Sequence, residues 1–484
     1  MNTEVIASPT PPALRQLSEL PGPRPWPIVG NSLQITVSKF HLDLERWGRE
    51  YGPMIQARLG SSQFLIVSDH ELISDILRDR PEGFIRPNML RETVLEMRVG
   101  REPGVFLAEG EMWQKQRRMV MASFSPANVR RYFPSLLKVT QRLHGRWNKA
   151  ADAGTVIDLQ ADLMRFTVDA ISGLAFGKDI NTLESQEEII QHHLDKIFPA
   201  IYRRTSALIP YWRYFKLPVD RALDRSIKTV IESIREFVAQ ARERLQADPS
   251  LREFPQNLLE AMIVAADEPD SGMNDHHVAG NVFTMLLAGE DTTATTLSWM
   301  IYLLFRNPQA MARAREEARR VAGELGEFTP ENMAELNYIE ACAHEVMRLK
   351  PVGPYNVLEA KQDRVVGDVA VPKGTMLMLV IRNDALNERY FTDAKAFNPQ
   401  RWLDGDHAGS ATNAKRVSMP FGGGPRICPG RYLAMLEIKM AMAMFLNEFD
   451  IVSVGTPDGG EAQEKMSFTM VPVGLTMRIR RRAD

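Results

Sequence analysis

A loop with a single cysteine has the residue types best suited to holding a metal. Residues 421–430 read Phe-Gly-Gly-Gly-Pro-Arg-Ile-Cys-Pro-Gly, and a run with helical character follows. Glycines let the backbone fold tightly around a bulky group because they lack a Cβ. Cys428 would lie near a helix N-terminus, where backbone N–H groups and the helix dipole favour negative charge. A thiolate metal ligand is one interpretation, and a buried free cysteine in a turn is the commoner one for a lone cysteine.

A carboxylic acid and an alcohol lie side by side in the middle of a long apolar helix pattern. Asn274 or Asp275 can cap this helix, which runs to about Phe305. Residues 282–287 are almost all apolar, which is typical of a buried helix. The next residues, 288–293, read Ala-Gly-Glu-Asp-Thr-Thr. Polar groups in such a position are costly unless they are partnered or functional.

The hydroxyl of Thr292 can donate to the carbonyl of Ala288, four residues earlier, which bends a helix. Gly289 leaves a groove beside this hydroxyl. A groove with an alcohol and the carboxylate of Asp291 is suited to binding dioxygen and delivering protons. A helix interrupted for packing reasons is the alternative.

Two further patterns place charged groups among apolar residues. Glu345 and Arg348 lie three residues apart on one helix face, and Arg401 follows in an aromatic, proline-containing turn. Most pairs of this kind are solvated surface contacts, but the residues around Glu345 are apolar. Trp113 and Arg117, at i and i+4, place an indole N–H and a guanidinium on one face of another helix. A core tryptophan and a solvated arginine are the alternatives there.

Together these patterns resemble the cytochrome P-450 family. The cysteine loop is similar to the family's haem-ligand pattern Phe-x-x-Gly-x-Arg-x-Cys-x-Gly, which is matched by Phe421, Gly424, Arg426, Cys428 and Gly430. The resemblance covers nearly the whole chain. It implies haem b as the cofactor, with the thiolate of Cys428 as the ligand of its iron.

The resemblance also implies roles for the polar groups on the helices. Asp291 and Thr292 match the acid–alcohol pair that activates oxygen in the family. Glu345, Arg348 and Arg401 match its Glu-x-x-Arg motif and a later arginine partner. These three residues are therefore expected to form a buried structural triad.

The haem propionates would be held by an indole and two guanidinium groups, those of Trp113, Arg117 and Arg426. Many relatives carry a further arginine shortly after the Glu-x-x-Arg helix. Residues 354–360 of this chain read Pro-Tyr-Asn-Val-Leu-Glu-Ala, without an arginine. Propionate binding is therefore expected to depend on the three residues named, with help from a residue that the sequence does not identify.

By the same resemblance, an apolar pocket is lined from four places along the chain. Its predicted lining residues are Leu95, Val99, Phe106, Leu287, Ala288, Val352, Val357, Phe468 and Met470. Such a cavity suits a hydrophobic terpenoid, steroid or fatty acid bound mainly through desolvation. The turn at residues 60–63 lacks the arginine–tyrosine carboxylate anchor of some fatty-acid hydroxylases. Four nearby arginines could supply a cation for a carboxylate instead, although a solvated loop is the favoured interpretation for them: Arg86, Arg91, Arg98 and Arg101. Neutral terpenoid-like substrates are therefore favoured slightly over fatty acids.

The elements that must position these residues are mostly helices. The clearest helix patterns cover residues 135–151, 159–176, 226–246, 308–325 and 333–349. Strand patterns cover residues 54–59 and 63–67, as a hairpin, and residues 365–366, 369–371, 376–381 and 473–480. Strands near both ends of the sequence, with helices between them, predict a mainly α fold with small β-sheets, an α+β unit. The resemblance makes this the cytochrome P-450 fold, with a proline-rich segment at 1–27 and one haem domain at 28–484.

The composition excludes several classes of protein. The 484 residues carry a formal net charge of −2, without the basic balance that nucleic-acid binding needs. The two cysteines, Cys342 and Cys428, are too few for a disulfide framework, a four-cysteine zinc site or an iron–sulfur cluster. The N-terminus has neither an apolar run of membrane-spanning length nor the pattern of a transit peptide. We therefore expect a cytoplasmic monomer without an integral membrane anchor.

The expected activity is that of a haem-thiolate monooxygenase, which inserts one oxygen atom from O2 into a hydrophobic small molecule. The sequence shows no flavin, nicotinamide or ferredoxin module, so electrons are expected from a separate ferredoxin or flavodoxin and an NAD(P)H-dependent reductase. A basic docking face near the cysteine loop would comprise Arg117, Arg118, Arg130, Arg131, Lys415, Arg416, Arg431 and Lys439. The alternatives are a peroxygenase, an isomerase or dehydratase on the same scaffold, and a haem-based sensor or binding protein.

Overall fold

The structure, a computed structural model, describes residues 14–60, 62–97, 102–177, 179–184, 189–207, 209–403, 414–456 and 458–482. Helices make up most of this part of the chain. The α-helices are α1 (Phe40–Tyr51), α2 (His70–Arg78), α3 (Asn88–Glu96), α4 (Gly110–Ser123), α5 (Pro126–Ala153), α6 (Leu159–Phe176), α7 (Ile189–Leu194), α8 (Ile197–Thr205), α9 (Pro218–Ala247), α10 (Leu258–Asp267), α11 (Asp275–Arg306), α12 (Pro308–Glu317), α13 (Pro330–Ala334), α14 (Asn337–Leu349), α15 (Arg382–Ala385), α16 (Ala414–Ser418) and α17 (Arg431–Glu448).

The strands are short and join segments that are far apart in sequence. They are β1 (Met54–Leu59), β2 (Ser62–Val67), β3 (Phe84–Ile85), β4 (Ile157–Asp158), β5 (Tyr355–Ala360), β6 (Arg364–Val366), β7 (Val369–Val371), β8 (Met376–Val380), β9 (Phe449–Gly455), β10 (Glu464–Met466), β11 (Met470–Pro472) and β12 (Thr476–Arg481). The largest sheet has the order β1-β2-β8-β5-β3, and a three-stranded sheet has the order β4-β12-β9. β1 and β2 form the predicted hairpin, and β2 pairs with β8 in parallel. The prediction of a mainly α fold with small β-sheets is confirmed.

Helix α11 forms the centre of the core. The side chain of Asn274 caps it by accepting hydrogen bonds from the backbone N–H groups of His276 and His277, as the sequence predicted. The helix packs along α6 and also contacts α9, α14 and α17. Trp299 and Met300, in its second half, are fully buried. Because burying a side chain of this size contributes about 1.5–3 kcal/mol, the packing holds the polar middle of α11 in a fixed place.

One predicted helix, at residues 333–349, is two helices in the structure. The helix is interrupted between α13 and α14. The carboxylate of Glu317 on α12 accepts hydrogen bonds from the backbone N–H groups of Tyr338 and Ile339, each at 2.8 Å. This caps α14 from a distant helix, so no local pattern could show it. Helix α12 ends at Glu317 itself, before a π turn, rather than at residue 325.

Two other boundaries differ because of capping and turn residues. Helix α5 begins at Pro126 rather than at residue 135, because the side chain of Ser125 caps it and Pro134 is accommodated inside the helix. The strand predicted at residues 473–480 begins only at Thr476. Gly474, with a φ of 65°, makes a turn between β11 and β12.

The segment before residue 28 lies against the sheets where it is described. Arg15 pairs with Asp368 at 2.7 Å, and Leu20 is buried. The backbone N–H of Gln56 on β1 donates to the carbonyl of Pro21 at 2.9 Å. A search of the described helices for a long apolar stretch finds none that would span a bilayer.

Candidate active site

The cysteine loop is closed on itself and fitted against α2. Residues Gly424–Arg426 form a 3-10 turn, and the backbone N–H of Cys428 donates to the carbonyl of Phe421 at 3.0 Å. Gly424 has a φ of 64°, and a Cβ at this position would lie 2.1 Å from the carbonyl oxygen of Leu77. Only glycine satisfies both constraints. The close approach therefore sets where the loop holds its cysteine.

Cations and a backbone donor surround the thiol of Cys428. Burial raises the pKa of Cys428 above that of a free thiol, and the backbone N–H of Gly430 and the charges of Arg117 and Arg431 offset part of this rise. Arg117 also donates to the carbonyl of Ile427 at 2.7 Å. Positive charge and N–H donors next to a thiol favour the thiolate, the form that ligates metals.

Beside this loop lies a group of cations with too few partners. Arg426 donates to the carboxylate of Glu109, and its guanidinium lies 4.6 Å from the ring centre of Trp113. Arg80 is only 5% exposed. Within the part of the chain that the structure describes, Nε and Nη2 of Arg80 and Nε and Nη1 of Arg426 have no hydrogen-bond partner. Burial, followed by repulsion from Arg426, lowers the pKa of Arg80 to about 10.

Arg86 completes this cationic cluster, which we define as Arg80, Arg86 and Arg426. Its guanidinium lies 3.8 Å from the ring centre of Phe106, and its Nε donates to the carbonyl of that residue at 3.2 Å. Burial, with repulsion from the other two arginines, lowers the pKa of Arg86 well below its usual value. The solvated position expected for Arg86 is therefore wrong, because the guanidinium packs under an aromatic ring.

The charge of the cationic cluster shows whether this site is suited to the propionates of a haem. Three guanidinium groups face a single carboxylate in close contact, that of Glu109. Buried charges without partners are strongly unfavourable. The propionates of one haem b would add negative charge to that of Glu109 and of Glu82, which also acts on Arg426, and would accept from the orphaned N–H groups. The donors and the nearby thiol therefore fit this cofactor.

The middle of α11 has an exposed position. Ala288 is exposed although the helix is buried on both sides of it, and the hydroxyl of Thr292 donates to its carbonyl at 2.7 Å, as predicted. The carboxylate of Asp291 accepts from the hydroxyl of Thr469 and, at 3.4 Å, from that of Thr295. Burial raises the pKa of Asp291, and the two hydroxyls lower it. No sequence pattern indicated Thr469, which reaches this acid from the turn before β11.

Glu345, Arg348 and Arg401 lie in contact in the interior. The carboxylate of Glu345 accepts from Arg348 at 2.7 and 2.8 Å and from Arg401 at 3.0 Å. It also accepts from the indole N–H of Trp402 at 2.8 Å and from the backbone N–H of Asn398 at 2.9 Å. Glu345 and Arg348 are fully buried. Removing one partner would leave a buried charge unpaired, which costs about 3–5 kcal/mol.

Aromatic residues from three separate segments of the chain meet one another. Phe468 stacks on Phe198 of α8, with 4.8 Å between the ring centres, and meets Phe106 edge-on at 6.3 Å. Phe198 was not among the predicted lining residues. The sequence showed Phe198 only as an apolar position in a helix pattern. Such a pattern does not distinguish a side chain packed in the core from one that lines a cavity.

The other predicted lining residues are in varied positions. Leu287 is buried beside Ala288 on α11, and Val357 is half-buried on β5. Leu95 on α3 is 38% exposed. Met470 is fully buried, and its sulfur accepts from Arg382 at 3.5 Å, so it faces an ion cluster. Val352 is half-buried and its carbonyl accepts from the N–H of Met470. Val99 lies outside the described residues.

A surface concavity of about 780 Å³ lies next to the cysteine loop. Four predicted docking residues line it: Arg130, Lys415, Arg431 and Lys439. Its floor is apolar and includes Phe421, Ile427, Met435 and Leu436. The remaining predicted docking residues have other surroundings: Arg117 binds the cysteine loop, Arg118 is exposed, Arg131 donates to the carbonyl of Pro255, and Arg416 pairs with Glu71.

The arrangement of a cysteine loop, a buried acid–alcohol helix and a cationic cluster agrees with the comparison to known families. The family model for cytochrome P450 matches residues 20–478. The chain belongs to the cytochrome P450 family. The family implies a haem cofactor and is one of oxidoreductases, so the predicted family and enzyme class are confirmed.

Relatives of this cytochrome P450 include both fused and unfused proteins. A self-sufficient cytochrome P450 monooxygenase of Oidiodendron maius is 30% identical over 450 residues, which is 91% of this chain but only 40% of the relative. The chloroplastic carotene epsilon-monooxygenase of Arabidopsis thaliana is 28% identical, over 91% of this chain and 82% of the relative. A solved cytochrome P450DA haem domain has a TM-score of 0.82 at 23% identity, covering 98% of this chain and 99% of that chain. This last likeness shows the fold.

Proposed function

We propose that the protein is a monooxygenase that binds haem b through Cys428 and inserts one oxygen atom from O2 into a neutral, hydrophobic, terpenoid-like molecule. Residues 28–484 would form its single haem domain. The observation that carries this proposal is the unbalanced cationic cluster beside the cysteine loop, because it matches the charge of two propionates. When bound, the haem supplies the oxygen chemistry, and a thiolate ligand favours O–O cleavage.

Each residue of the site has a separate task in this proposal. Cys428 ligates the iron, while Arg80, Arg86 and Arg426 hold the propionates. Asp291 and Thr292 hold and move protons at the exposed middle of α11. The buried remainder of that helix excludes water, which limits the escape of reactive oxygen species.

The absorption spectrum of the reduced protein with carbon monoxide tests whether Cys428 is the iron ligand. We expect the strongly red-shifted Soret band of a thiolate haem in the wild type and in Cys342→Ser, because Cys342 is fully buried on α14. Cys428→His should lose the band while keeping bound haem. A band that persists in Cys428→His would exclude Cys428 as the ligand and overturn the proposal.

The proposed substrate class is supported by an aromatic cluster and by the apolar side chains of α11. Phe106, Phe198 and Phe468 supply aromatic surface, and Leu287 adds apolar surface from α11. Arg86 is engaged by Phe106 and the cationic cluster, which leaves it poorly placed to bind a substrate carboxylate. A relative is named for carotene, a neutral isoprenoid.

Matched ligands test this substrate class. We expect neutral terpenoid alcohols to shift the haem spin state at lower concentrations than fatty acids of equal carbon number, because burying a carboxylate without a cationic partner is unfavourable. Arg91→Ala serves as a probe, since Arg91 is exposed on α3. Tighter binding of the acids, lost in that variant, would contradict the preference for neutral ligands.

The electron donor proposed is a separate acidic ferredoxin or flavodoxin that docks at the surface concavity. Its support is the combination of an apolar floor and a cationic rim next to Cys428. Such a rim steers an acidic partner toward the loop. A peroxygenase would need no such donor, so turnover driven by peroxide alone at the same rate would favour that alternative.

A further inference from the structure

The carboxylate of Asp291 has two side-chain partners, one at each oxygen. Its Oδ1 accepts from the hydroxyl of Thr295, one turn later on α11, at 3.4 Å, which is long for an O–H···O hydrogen bond. Its Oδ2 accepts from the hydroxyl of Thr469 in closer contact. Asp291 is 8% exposed and Thr469 is 7% exposed. The main donor to this buried acid is therefore a residue outside its own helix.

Thr469 lies at the tip of the β10–β11 hairpin, and this tip is held in one conformation. The two strands pair in antiparallel register, and at the tip the backbone N–H of Ser467 donates to the carbonyl of Thr469 at 2.8 Å. Phe468, between them, has a φ of 84°, which bulky side chains rarely adopt. Its ring stacks on that of Phe198, with the ring planes 9° apart. Such a backbone persists only where its surroundings fix it, so the stacking stabilises the tip that carries Thr469.

Charged side chains hold the base of the same hairpin. Glu464, the first residue of β10, accepts from Arg382 at 2.9 and 3.0 Å, and its Oε2 lies 2.8 Å from Nε2 of His41. Arg382 also donates to Glu45 on α1 at 2.7 Å and is only 2% exposed. Because buried ion pairs are costly to break, these contacts anchor the hairpin to α1 and α15. The hydroxyl of Thr469 therefore reaches α11 from a support that is fixed independently of that helix.

We propose that Thr469 is a positioning residue, which holds the carboxylate of Asp291 in one orientation while that acid exchanges protons. A carboxylate free to rotate would leave its partners, whereas an O–H donor at Oδ2 fixes its plane and favours its ionised form. The hydroxyl keeps its own proton throughout. Burial raises the pKa of Asp291, and the bonds from Thr469 and Thr295 offset part of this rise. The contact follows from the geometry alone, whereas its effect on turnover rests on the proposed monooxygenase function.

Infrared spectroscopy of the haem-loaded protein tests the contact without any turnover. The protonated-carboxyl C=O band that disappears in Asp291→Asn reports the titration of this acid. In Thr469→Val, which keeps the shape of the side chain, we expect the midpoint of that titration to rise by about one pH unit, because the carboxylate loses its main donor. Thr469→Ser should restore the wild-type midpoint. An unchanged midpoint in Thr469→Val would overturn the proposal.

The control for the side-chain change is Thr140→Val on α5, where another buried hydroxyl donates to the carbonyl of Leu136 at 2.9 Å. It should leave the midpoint unchanged. Two acids interact electrostatically with Asp291: Glu290, beside it on α11, and Asp195, in the turn between α7 and α8. Both are present in Thr469→Val and in Thr140→Val, so the difference between these two variants reports the lost donor.

Coupling of electron use to product tests the effect on turnover. In Thr469→Val we expect several-fold more peroxide released per NAD(P)H, and a pH profile of coupling displaced in the same direction as the infrared midpoint. Thr469→Ser should restore the coupling, Thr140→Val should match the wild type, and the reduced carbon monoxide spectrum should be the same in all of them. Peroxide release and a pH profile at the wild-type level in Thr469→Val would overturn the role in turnover. Absence of any product from the wild type, with the infrared shift present in Thr469→Val, would instead contradict the proposed function.

Discussion

At the scale of single residues, the main feature of the site is a set of buried arginines whose positive charge is not balanced by nearby carboxylates. Arg80 and Arg426 are buried with orphaned N–H groups, and one carboxylate, that of Glu109, lies among them. An arrangement of this kind is unfavourable in the protein without its cofactor. It becomes favourable once an anionic ligand fills it, so it links haem binding to the stability of the site.

We predict that Arg80→Met will weaken haem retention and stabilise the haem-free protein. Loss of one buried cation removes a propionate partner, which costs at least about tenfold in haem affinity. It also removes the repulsion that Arg426 exerts on Arg80. Transfer of haem to apomyoglobin should be faster in Arg80→Met than in the wild type, and the thermal midpoint of the haem-free protein should be higher.

The control for this experiment is Arg91→Met, which removes an exposed arginine of α3. It should leave both the haem-transfer rate and the midpoint unchanged. Haem transfer from Arg80→Met at the wild-type rate would show that Arg80 does not hold the cofactor.

The sequence identified only part of this cluster, for a physical reason. Arg426 stood out because it belongs to the spaced pattern of the cysteine loop. Arg80 and Arg86 follow no such pattern, and arginines are usually solvated. The available signal was their apolar setting, since residues 81–87 contain Pro-Glu-Gly-Phe-Ile-Arg-Pro. Their burial results from contacts with residues such as Phe106 and Arg426, which are distant in sequence.

At the scale of elements, one buried acid joins the two helices that matter most for the site. Glu437 of α17 is 3% exposed and bonds to Thr293 of α11. Burial raises the pKa of Glu437 to about 8, although the bond to Thr293 lowers it. Helix α17 follows the cysteine loop and α11 carries Thr292. The buried acid therefore connects the helix after the cysteine loop to the helix of Thr292.

We predict that Glu437→Gln will flatten the dependence of stability on pH. The pKa of an unfolded glutamate is about 4.3. Between that value and about 8, the folded state binds one more proton at this site than the unfolded state does. Its contribution to the free energy of unfolding therefore falls as pH rises, by about 1.4 kcal/mol per pH unit at most. Glutamine imitates the neutral acid and removes this loss.

Thermal midpoints at pH 6, 7 and 8 provide the measurement. The decrease across this range should be smaller in Glu437→Gln than in the wild type. Glu236→Gln, at an exposed position of α9, should behave as the wild type does. Parallel curves for all three proteins would mean that Glu437 is ionised in the folded state.

The bounds of helices and strands were predictable from the sequence where nearby residues determine them. Helix α6 and strand β7 have the bounds that their apolar spacing predicted, and Asn274 caps α11 as expected. The break before α14 was not predictable, because its cap is Glu317 from another helix. The acid of Asp291 was found by its motif, whereas Thr469 reaches it only through the tertiary fold.

At the scale of the whole molecule, charge is unevenly arranged although the net charge is only −2. Cations rim the surface concavity beside the cysteine loop, and exposed Tyr432 lies on its edge. Some of these cations are already paired, as Arg130 is with Glu331 at 3.2 Å and Lys439 with Glu340. Arg431, whose guanidinium lies 4.6 Å from the ring centre of Tyr432, is the cation of this set that acts directly on Cys428.

We predict that reduction by an acidic ferredoxin will slow as salt is added. Screening lengths fall from about 10 Å at 0.1 M to about 3 Å at 1 M ionic strength, so long-range steering should disappear over this range. Arg431→Glu should lower the stopped-flow reduction rate at low salt and reduce its salt dependence. Arg225→Glu, on exposed α9, is the control of equal charge change. Rates indifferent to salt in the wild type would contradict docking by charge.

The pairing of β2 with β8 also determines when, during synthesis on the ribosome, the largest sheet can form. Arg15 and its partner Asp368 are 353 residues apart, and the five-stranded sheet spans a similar distance. Strand β8 begins at Met376, about 310 residues after β2 ends at Val67, so at about 5–20 residues per second of synthesis the first hairpin waits roughly 15–60 s for it. During that time β2 presents an unpaired edge, which favours association with other chains. Three polar residues, Gln56, Arg58 and Gln63, interrupt the apolar runs of this hairpin. They therefore help to keep the nascent chain soluble until β8 has been synthesised and can pair with β2.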